Sequence, residues 1–493
     1  MRYDDVPASF NIASHFVDRN PPERTALLTS SGPVTYGELA ELTNKMGNAL
    51  LELGVRQGDR VLLALSDGVD FVAAWYGAQK IGAVTAEVYT YLQVKDYKYF
   101  LDYVRPVAVL ADDTTAEKMR EAGATNLVVL TPGFTAGQPS TLDAAPTTKD
   151  DVAIWKFTTG STGAPKACVL TARSPLLSFS WYAQGVLDIQ PSDVVLPVPK
   201  LFFGYARDLT ALFPFGVGAA GIVFPERSTV DTLFELIAQH RPTILVNVPT
   251  MMSAMVSHPS ASEQDFSSLR LCTSAGEALP GELYRRWMDT FGVEVLDGIG
   301  SSEAYHIYLS NRKGESRQGS LGQVVPGYQA RVVDLDGNPV PDGEPGRLEI
   351  TGETVALEYW QAPEKSAETF PRPHTVLSGD LVTKDADGFF HYQGRIDDLL
   401  KVGGVWVAPA EIENCLLAHD AVVECAVVGY QENGLTRPRA YVVTAAEVTA
   451  QELQDFVRSR LAPHKYPRDV RFVSTLPKTA SGKLDRRALK GDD

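Results

Sequence analysis

The 493-residue chain holds only four cysteines, Cys168, Cys272, Cys415 and Cys425, and none stands in the paired C-x2-C spacing of a metal or redox site. They read as reduced packing residues. No apolar run reaches the length of a membrane-spanning helix, and the first sixteen residues scatter charges where a secretory signal needs an unbroken apolar stretch. A cytoplasmic protein with no membrane partner is the expectation. Basic excess is missing too: 45 Lys plus Arg face 61 Asp plus Glu, and the formal charge of −16 gives no pull toward a phosphate backbone, which excludes nucleic acid as the main partner. The chain has no internal repeat, no low-complexity tract and no G-x-S-x-G elbow of a serine esterase.

What is present is a large apolar share, 44%, over a length that one core does not sustain, so two or more domains are expected. From 36 to 84 the pattern is helix, buried strand (from Arg60) and helix, and strand-like runs follow at 107–110, 127–130, 222–224, 244–248 and 293–296 with helical stretches between most of them. This predicts an α/β fold, parallel sheets covered by helices. After Glu303 strands and turns dominate, at 330–334, 346–350 and 388–392, which predicts a β-rich subdomain. Beyond Arg395 the order restarts: helix 409–417, strands 422–428 and 440–443, helix 450–461, strand 470–473. A small α+β C-terminal domain over 397–493, after a large domain over 1–396, is the expected division.

The densest chemical signal is Phe157-Thr-Thr-Gly-Ser-Thr-Gly-Ala-Pro-Lys166, a loop of hydroxyl and glycine residues after the strand-like 152–155. Backbone N–H groups and hydroxyls in such a loop approach phosphate oxygens closely, and Lys166 adds positive charge. It lacks the Walker spacing, and no Ser or Thr follows the lysine. Gly216-Val-Gly-Ala-Ala-Gly221 satisfies the dinucleotide pattern, but a helix-like segment precedes it and a strand follows, the reverse of the required context.

Thr158, Thr159, Gly160, Ser161, Thr162, Gly163 and Lys166 together resemble the phosphate loop of the acyl-adenylate-forming superfamily, which includes acyl-CoA synthetases, peptide-synthetase adenylation domains and luciferases. Further resemblances follow in the family's order: Val34-Thr-Tyr-Gly-Glu-Leu, Ser274-Ala-Gly-Glu-Ala-Leu, Asp297-Gly-Ile-Gly-Ser-Ser-Glu303, Ser378-Gly-Asp380, Gly394-Arg-Ile-Asp-Asp398 with Lys401, Pro409-Ala-Glu-Ile-Glu413 and Pro477-Lys-Thr-Ala-Ser-Gly-Lys483. They span essentially the whole chain.

The resemblance implies a carboxylate that attacks the α-phosphorus of ATP, expels pyrophosphate and passes its acyl group to coenzyme A. It implies that Glu303 ligates Mg²⁺, a hard cation suited to carboxylate and phosphate oxygens, with Ser302 touching the adjacent phosphate. Ala275, Gly276 and Glu277, with Asp297, Gly298 and Ile299, correspond to the adenine and magnesium segments. Asp380 would accept the ribose hydroxyls and Arg395 donate to the same sugar, although Ser-Gly-Asp alone also suits a plain turn. Lys483 would bridge the acyl carboxylate and the α-phosphate. Asp397 would be the hinge of a mobile C-terminal domain, and Lys401, Gly403 and Gly404 would line a channel for the pantetheine arm.

Pro199-Lys-Leu-Phe-Phe-Gly-Tyr-Ala-Arg-Asp208 resembles the benzoate-CoA ligase branch, which implies a small aromatic acid held by Phe203, Gly204, Tyr205, Ala275, Gly300, Tyr305, His306 and Ile307. Phe203 reads equally as core, and His306 equally as a satisfied structural histidine. Three features depart from that branch: Gly204 for alanine, Tyr305 for an aliphatic residue, and the charged Arg207-Asp208 pair. A benzoate, bare or with a hydroxyl, amino or halogen group, is the expected acid. Coenzyme A is the expected acceptor and a phosphopantetheine carrier protein the alternative; Arg437, Arg439, Lys465 and Arg468 are candidates to meet CoA phosphates. The chain is expected to act as a monomer or homodimer.

Overall fold

The computed structural model of the chain describes residues 1–158, 164–402, 405–432, 435–478 and 484–490. Two helix-flanked sheets make up most of it. A six-stranded sheet runs Leu127–Val129, Ala108–Ala111, Arg60–Ala64, Val84–Glu87, Val152–Thr158, Lys166–Thr171, parallel except for the last strand. A nine-stranded sheet has a parallel centre from Val295–Gly300 through Leu271–Ser274, Ile244–Asn247, Val194–Pro197 and Ala220–Ile222 to Thr25–Thr29. Antiparallel strands close both of its edges.

Helix Tyr36–Glu52 starts where the sequence places it: Thr35 accepts from the Glu38 amide while Glu38 accepts from the Thr35 amide, a reciprocal cap. Its apolar face, Leu39, Met46 and Leu50, is buried. It crosses the helix Val69–Lys80 so tightly that a Cβ on Gly77 would lie 2.9 Å from the Gly47 nitrogen. Both helices belong to one apolar core whose members run from Val6 to Phe390.

The antiparallel subdomain expected after Glu303 exists, as Gln329–Val333, Gly346–Thr351, Thr375–Lys384 and Phe390–Arg395, but it begins later than the sequence texture suggests. Strands Ile307–Ser310 and Gln323–Val324 instead extend the nine-stranded sheet. Gly298 and Gly300 permit this, since a Cβ on either would lie 2.5 or 2.4 Å from the backbone oxygen of Leu309 or His306. The strand expected at 222–224 forms earlier, at Ala220–Ile222, and Gly221 is required there because a Cβ would meet the Thr210 oxygen at 2.1 Å. The G-x-G-x-x-G run is therefore a packing feature.

Beyond residue 399 the helices Pro409–Leu417 and Ala450–Arg458 pack on the strands Val422–Glu432, Leu435–Thr444 and Asp469–Phe472, with two apolar clusters drawn only from this part of the chain. The fold is thus α/β, with large helix-covered sheets and a small α+β unit at the C-terminal end. No described helix is long and apolar enough to cross a membrane.

Candidate functional site

The glycine- and hydroxyl-rich loop is the tip of a β-hairpin. Thr158, the last residue of Val152–Thr158, pairs antiparallel with Lys166, the first of Lys166–Thr171. A strand follows the loop, so loop groups and Lys166, and no described helix start, face whatever binds there. Thr159, Gly160, Ser161, Thr162 and Gly163 lie outside the described residues.

Against this hairpin sits the short turn Ser302–Ala304. Ser302 Oγ donates to the Phe157 carbonyl at 3.3 Å, and Glu303 Oε1 accepts from the Tyr359 hydroxyl at 2.6 Å. Lys166 Nζ lies 6.0 Å from the centre of the Tyr359 ring. Tyr359 escaped the sequence reading, as it stands far from every motif, but it pins the Glu303 carboxylate beside the hairpin. Burial first, then the Glu303 charge, pushes its phenol well up, so it remains a donor to that carboxylate.

Asp297, Gly298, Ile299 and Gly300 occupy the strand leading into that turn, and Ala275, Gly276 and Glu277 follow the neighbouring strand Leu271–Ser274. Asp297 is buried, its Oδ1 has no hydrogen-bond partner among the described residues, and burial raises its pKa well above the carboxylate range in spite of Ser274. A donor is wanted there. Glu277 behaves differently: its Oε2 accepts from the Thr250 amide at 3.0 Å and hydroxyl at 2.8 Å, at the start of helix Pro249–Val256. The arrangement ties that side chain to the helix start.

Asp380 lies inside the strand Thr375–Lys384, directly opposite Arg395 at the end of Phe390–Arg395, and Arg395 Nη1 donates to Asp380 Oδ1 at 3.1 Å. This overturns the plain-turn reading of Ser-Gly-Asp. Tyr308, fully buried, links the two halves of the site: burial first, and then both Asp380 and Glu303, raise its phenol. Asp397 falls in the tight turn Ile396–Asp398, and Lys401 is exposed on the strand Leu400–Val402. Gly403, Gly404 and Lys483 lie outside the described residues.

The residues expected to form an acid pocket converge where helix Gly204–Ala211 meets the turn after Glu303. The Tyr205 hydroxyl and Thr273 Oγ1 are 2.6 Å apart, and the His306 ring stacks at a tilt against both Tyr205 and Tyr182. His306 Nε2 lies 3.5 Å from the Tyr205 carbonyl while Nδ1 has no partner among the described residues, so the ring is only half satisfied, and burial holds it down at about 3, neutral. Phe203 is partly buried against the core, its ring 6.1 Å from that of Tyr205. Ile307 is buried at the start of the strand Ile307–Ser310.

Beneath Gly204 lies a charged cluster that the sequence showed only in part. Lys156 Nζ donates to Asp208 Oδ2 at 2.6 Å and to the Tyr305 carbonyl at 2.7 Å. Asp208 Oδ1 takes two hydrogen bonds from Arg207, whose other guanidinium nitrogen meets Glu87. All four side chains are at most 6% exposed. Burial pushes Asp208 up, but Arg207 and Lys156 reverse this and leave it below the usual carboxylate range. Tyr305, with φ of 76°, turns its ring over the Lys156 ammonium at 3.5 Å. A left-handed backbone is costly for so bulky a residue and marks a constrained position. The missed signal was Lys156 itself, a lone charge in the apolar strand Val152–Thr158.

Of the basic residues considered for CoA phosphates, Arg439 is paired with Asp469 and Lys465 with Glu411, each at 2.6 Å, and Arg437 lies 3.7 Å from Glu432. Arg468 packs over the Tyr466 ring.

Residues 14–360 match the family of AMP-binding enzymes and residues 411–483 the AMP-binding enzyme C-terminal domain. The benzoate–CoA ligase of Thauera aromatica is 40% identical over 98% of this chain and 96% of its own length. The 4-hydroxybenzoate–CoA/benzoate–CoA ligase of Rhodopseudomonas palustris is 36% identical over 98% of this chain and 94% of its own. Among solved structures, an anthranilate CoA ligase in complex with anthranoyl-AMP superposes with a TM-score of 0.94 at 35% identity, covering 99% of this chain and 98% of that one.

Proposed function

The chain belongs to the AMP-binding enzyme family, and from that membership we propose how its residues join an aryl acid to coenzyme A in an ATP-dependent reaction. The protein is an AMP-forming aryl acid:CoA ligase of the acyl-CoA synthetase type. In the first step a carboxylate oxygen of the acid bonds to the α-phosphorus, and the bond to the bridging oxygen breaks, releasing pyrophosphate. In the second the thiolate of coenzyme A attacks the acyl carbon and AMP leaves. The observation that carries the assignment of residues is the meeting of Lys166, Ser302 and Glu303 at the loop end of one hairpin, with Tyr359 fixing Glu303.

Thr158 to Gly163 and Lys166 hold the phosphates. Glu303 suits Mg²⁺: Tyr359 occupies one oxygen, and a single carboxylate completed by phosphate and water oxygens is how that ion is commonly held. Bound there, the ion would neutralise phosphate charge. Ala275, Gly276, Asp297, Gly298 and Ile299 flank the adenine, where the unpartnered Asp297 Oδ1 suits a donor. Asp380, held by Arg395, accepts the ribose hydroxyls. Lys483 serves the first step, and the unit over 397–493 turns about Asp397 to bring Lys401, Gly403 and Gly404 to the pantetheine arm. Phe203, Gly204, Tyr205, Ala275, Gly300, Tyr305, His306 and Ile307 surround the aromatic ring. We place the reaction in the cytoplasm.

Incubation with ATP, Mg²⁺, coenzyme A and a benzoate panel tests the reading. Aryl-CoA and AMP should appear together and only when all components are present; adenylate without aryl-CoA overturns coenzyme A as acceptor. Asp380→Ala removes a charged hydrogen-bond acceptor worth about 1.5–3 kcal/mol. It should lower kcat/KM for ATP by roughly 10- to 100-fold, with KM for the acid unchanged. Asp397→Pro fixes φ at the proposed hinge. Half-reactions measured separately should show one impaired far more than the other; equal loss in both argues for misfolding.

A further inference from the structure

Gly204 and Lys156 are complementary in shape. A Cβ on Gly204 would lie 2.7 Å from Lys156 Cε and 2.8 Å from Nζ, so the space a side chain would fill is filled by the ammonium. Two of its three donors are taken, by Asp208 and by the Tyr305 carbonyl, and the third is met by no oxygen or nitrogen among the described residues, with the Tyr305 ring over the ammonium at 3.5 Å. Asp208 Oδ2 accepts from Lys156, and the Tyr305 hydroxyl interacts with the same carboxylate. The buried cluster is balanced in charge, Lys156 and Arg207 against Glu87 and Asp208. A charged ring substituent would upset that balance without a counter-ion. A methyl or halogen would leave the third ammonium donor with no acceptor but the Tyr305 ring face. A hydroxyl offers it a stronger acceptor, since its oxygen takes a hydrogen bond from the ammonium.

We propose that Lys156, held by Asp208 beneath Gly204, is the specificity-determining residue of the acid pocket and selects a benzoate with a hydroxyl on the distal half of the ring, meta or para to the carboxylate. This rests on the assignment of Gly204 to that pocket. The ring position follows from the strand. Lys156 precedes Thr158 by two residues on one face of Val152–Thr158, about 6.6 Å along it. The reacting carboxylate belongs at the Thr158 end with the phosphates, and an ortho group stays near that end.

The test is kcat/KM for aryl-CoA formation with benzoate, the three monohydroxybenzoates, the three methylbenzoates and a short aliphatic acid, in the wild-type protein and in Lys156→Met. The wild type should favour the meta- or para-hydroxy acid over benzoate and over the matching methylbenzoate by about 10-fold or more. Lys156→Met should collapse that ratio; Lys156→Gln, with a shorter donor, should retain part of it. Benzoate, a methylbenzoate or the ortho acid as the best wild-type substrate overturns the proposal whether or not the variants fold. An unchanged ratio in a folded Lys156→Met protein also overturns it. Turnover of the aliphatic acid with no benzoate used would overturn the aryl-acid assignment as well, a result distinct from either.

Discussion

With Lys483 replaced by alanine, acyl-adenylate formation falls by about 100- to 1,000-fold, the usual cost of removing one preorganised charge from a developing oxyanion. Conversion of supplied aryl-adenylate and coenzyme A to aryl-CoA and AMP remains within a few-fold of the wild type. The asymmetry follows from the chemistry of the two steps. A five-coordinate phosphorus with its crowded charge forms only in the first, and a compact point charge on a flexible stem suits that moment. Lys478 and Leu484 pair in an antiparallel bridge, and Leu476 and Leu489 pack with the buried Tyr441. Pyrophosphate release from ATP and the acid reports the first half-reaction, and thioester absorbance from synthetic adenylate the second. Survival of both, or loss of both, removes Lys483 from the catalytic account.

Asp208→Ala is expected to destabilise the protein by about 3–5 kcal/mol, because it strips a buried carboxylate from two buried cations. Arg207 would keep Glu87, but Lys156 would keep only a carbonyl oxygen and the face of Tyr305. Denaturant unfolding followed by tryptophan fluorescence checks this directly, since Trp75 donates to Glu87 within the same cluster. The effect depends on pH in a defined sense. The folded-state pKa of Asp208 lies below its unfolded value, so the unfolded chain binds the proton first as pH falls. The stabilisation is complete above the ordinary carboxylate range and is lost as pH drops through the lower folded value. Wild type and Asp208→Ala should therefore differ most at neutral pH and converge in acid. A variant within 1 kcal/mol of the wild type at pH 7 would show the cluster to be solvated.

Much of the fold was legible because its signals are local. The Thr35–Glu38 cap and the 3.6-residue spacing of Leu39, Met46 and Leu50 announce the first long helix, and Pro409 at the start of Pro409–Leu417 announces another. Apolar runs between turn residues mark the parallel strands, as at Arg60–Ala64. Boundaries slipped where pairing decided them. Ala220–Ile222 starts early because it fits between Val194–Pro197 and Thr25–Thr29, and Ile307–Ser310 joins the large sheet because Gly298 and Gly300 admit its backbone.

The order of motifs, the glycine- and hydroxyl-rich loop and the charged residues Lys166, Glu303, Asp380, Arg395 and Lys483 were determined by the sequence alone, since turn chemistry and side-chain type are properties of neighbouring residues. Tertiary structure decided what those groups face. The Tyr359 hydroxyl reaches Glu303 across 56 residues, and Lys156 reaches Asp208 across 52. Such contacts depend on strand register and helix placement, which no local pattern encodes. For the same reason the charge in Val152–Thr158 reads in sequence as an anomaly, and only the packed core pairs it with Asp208.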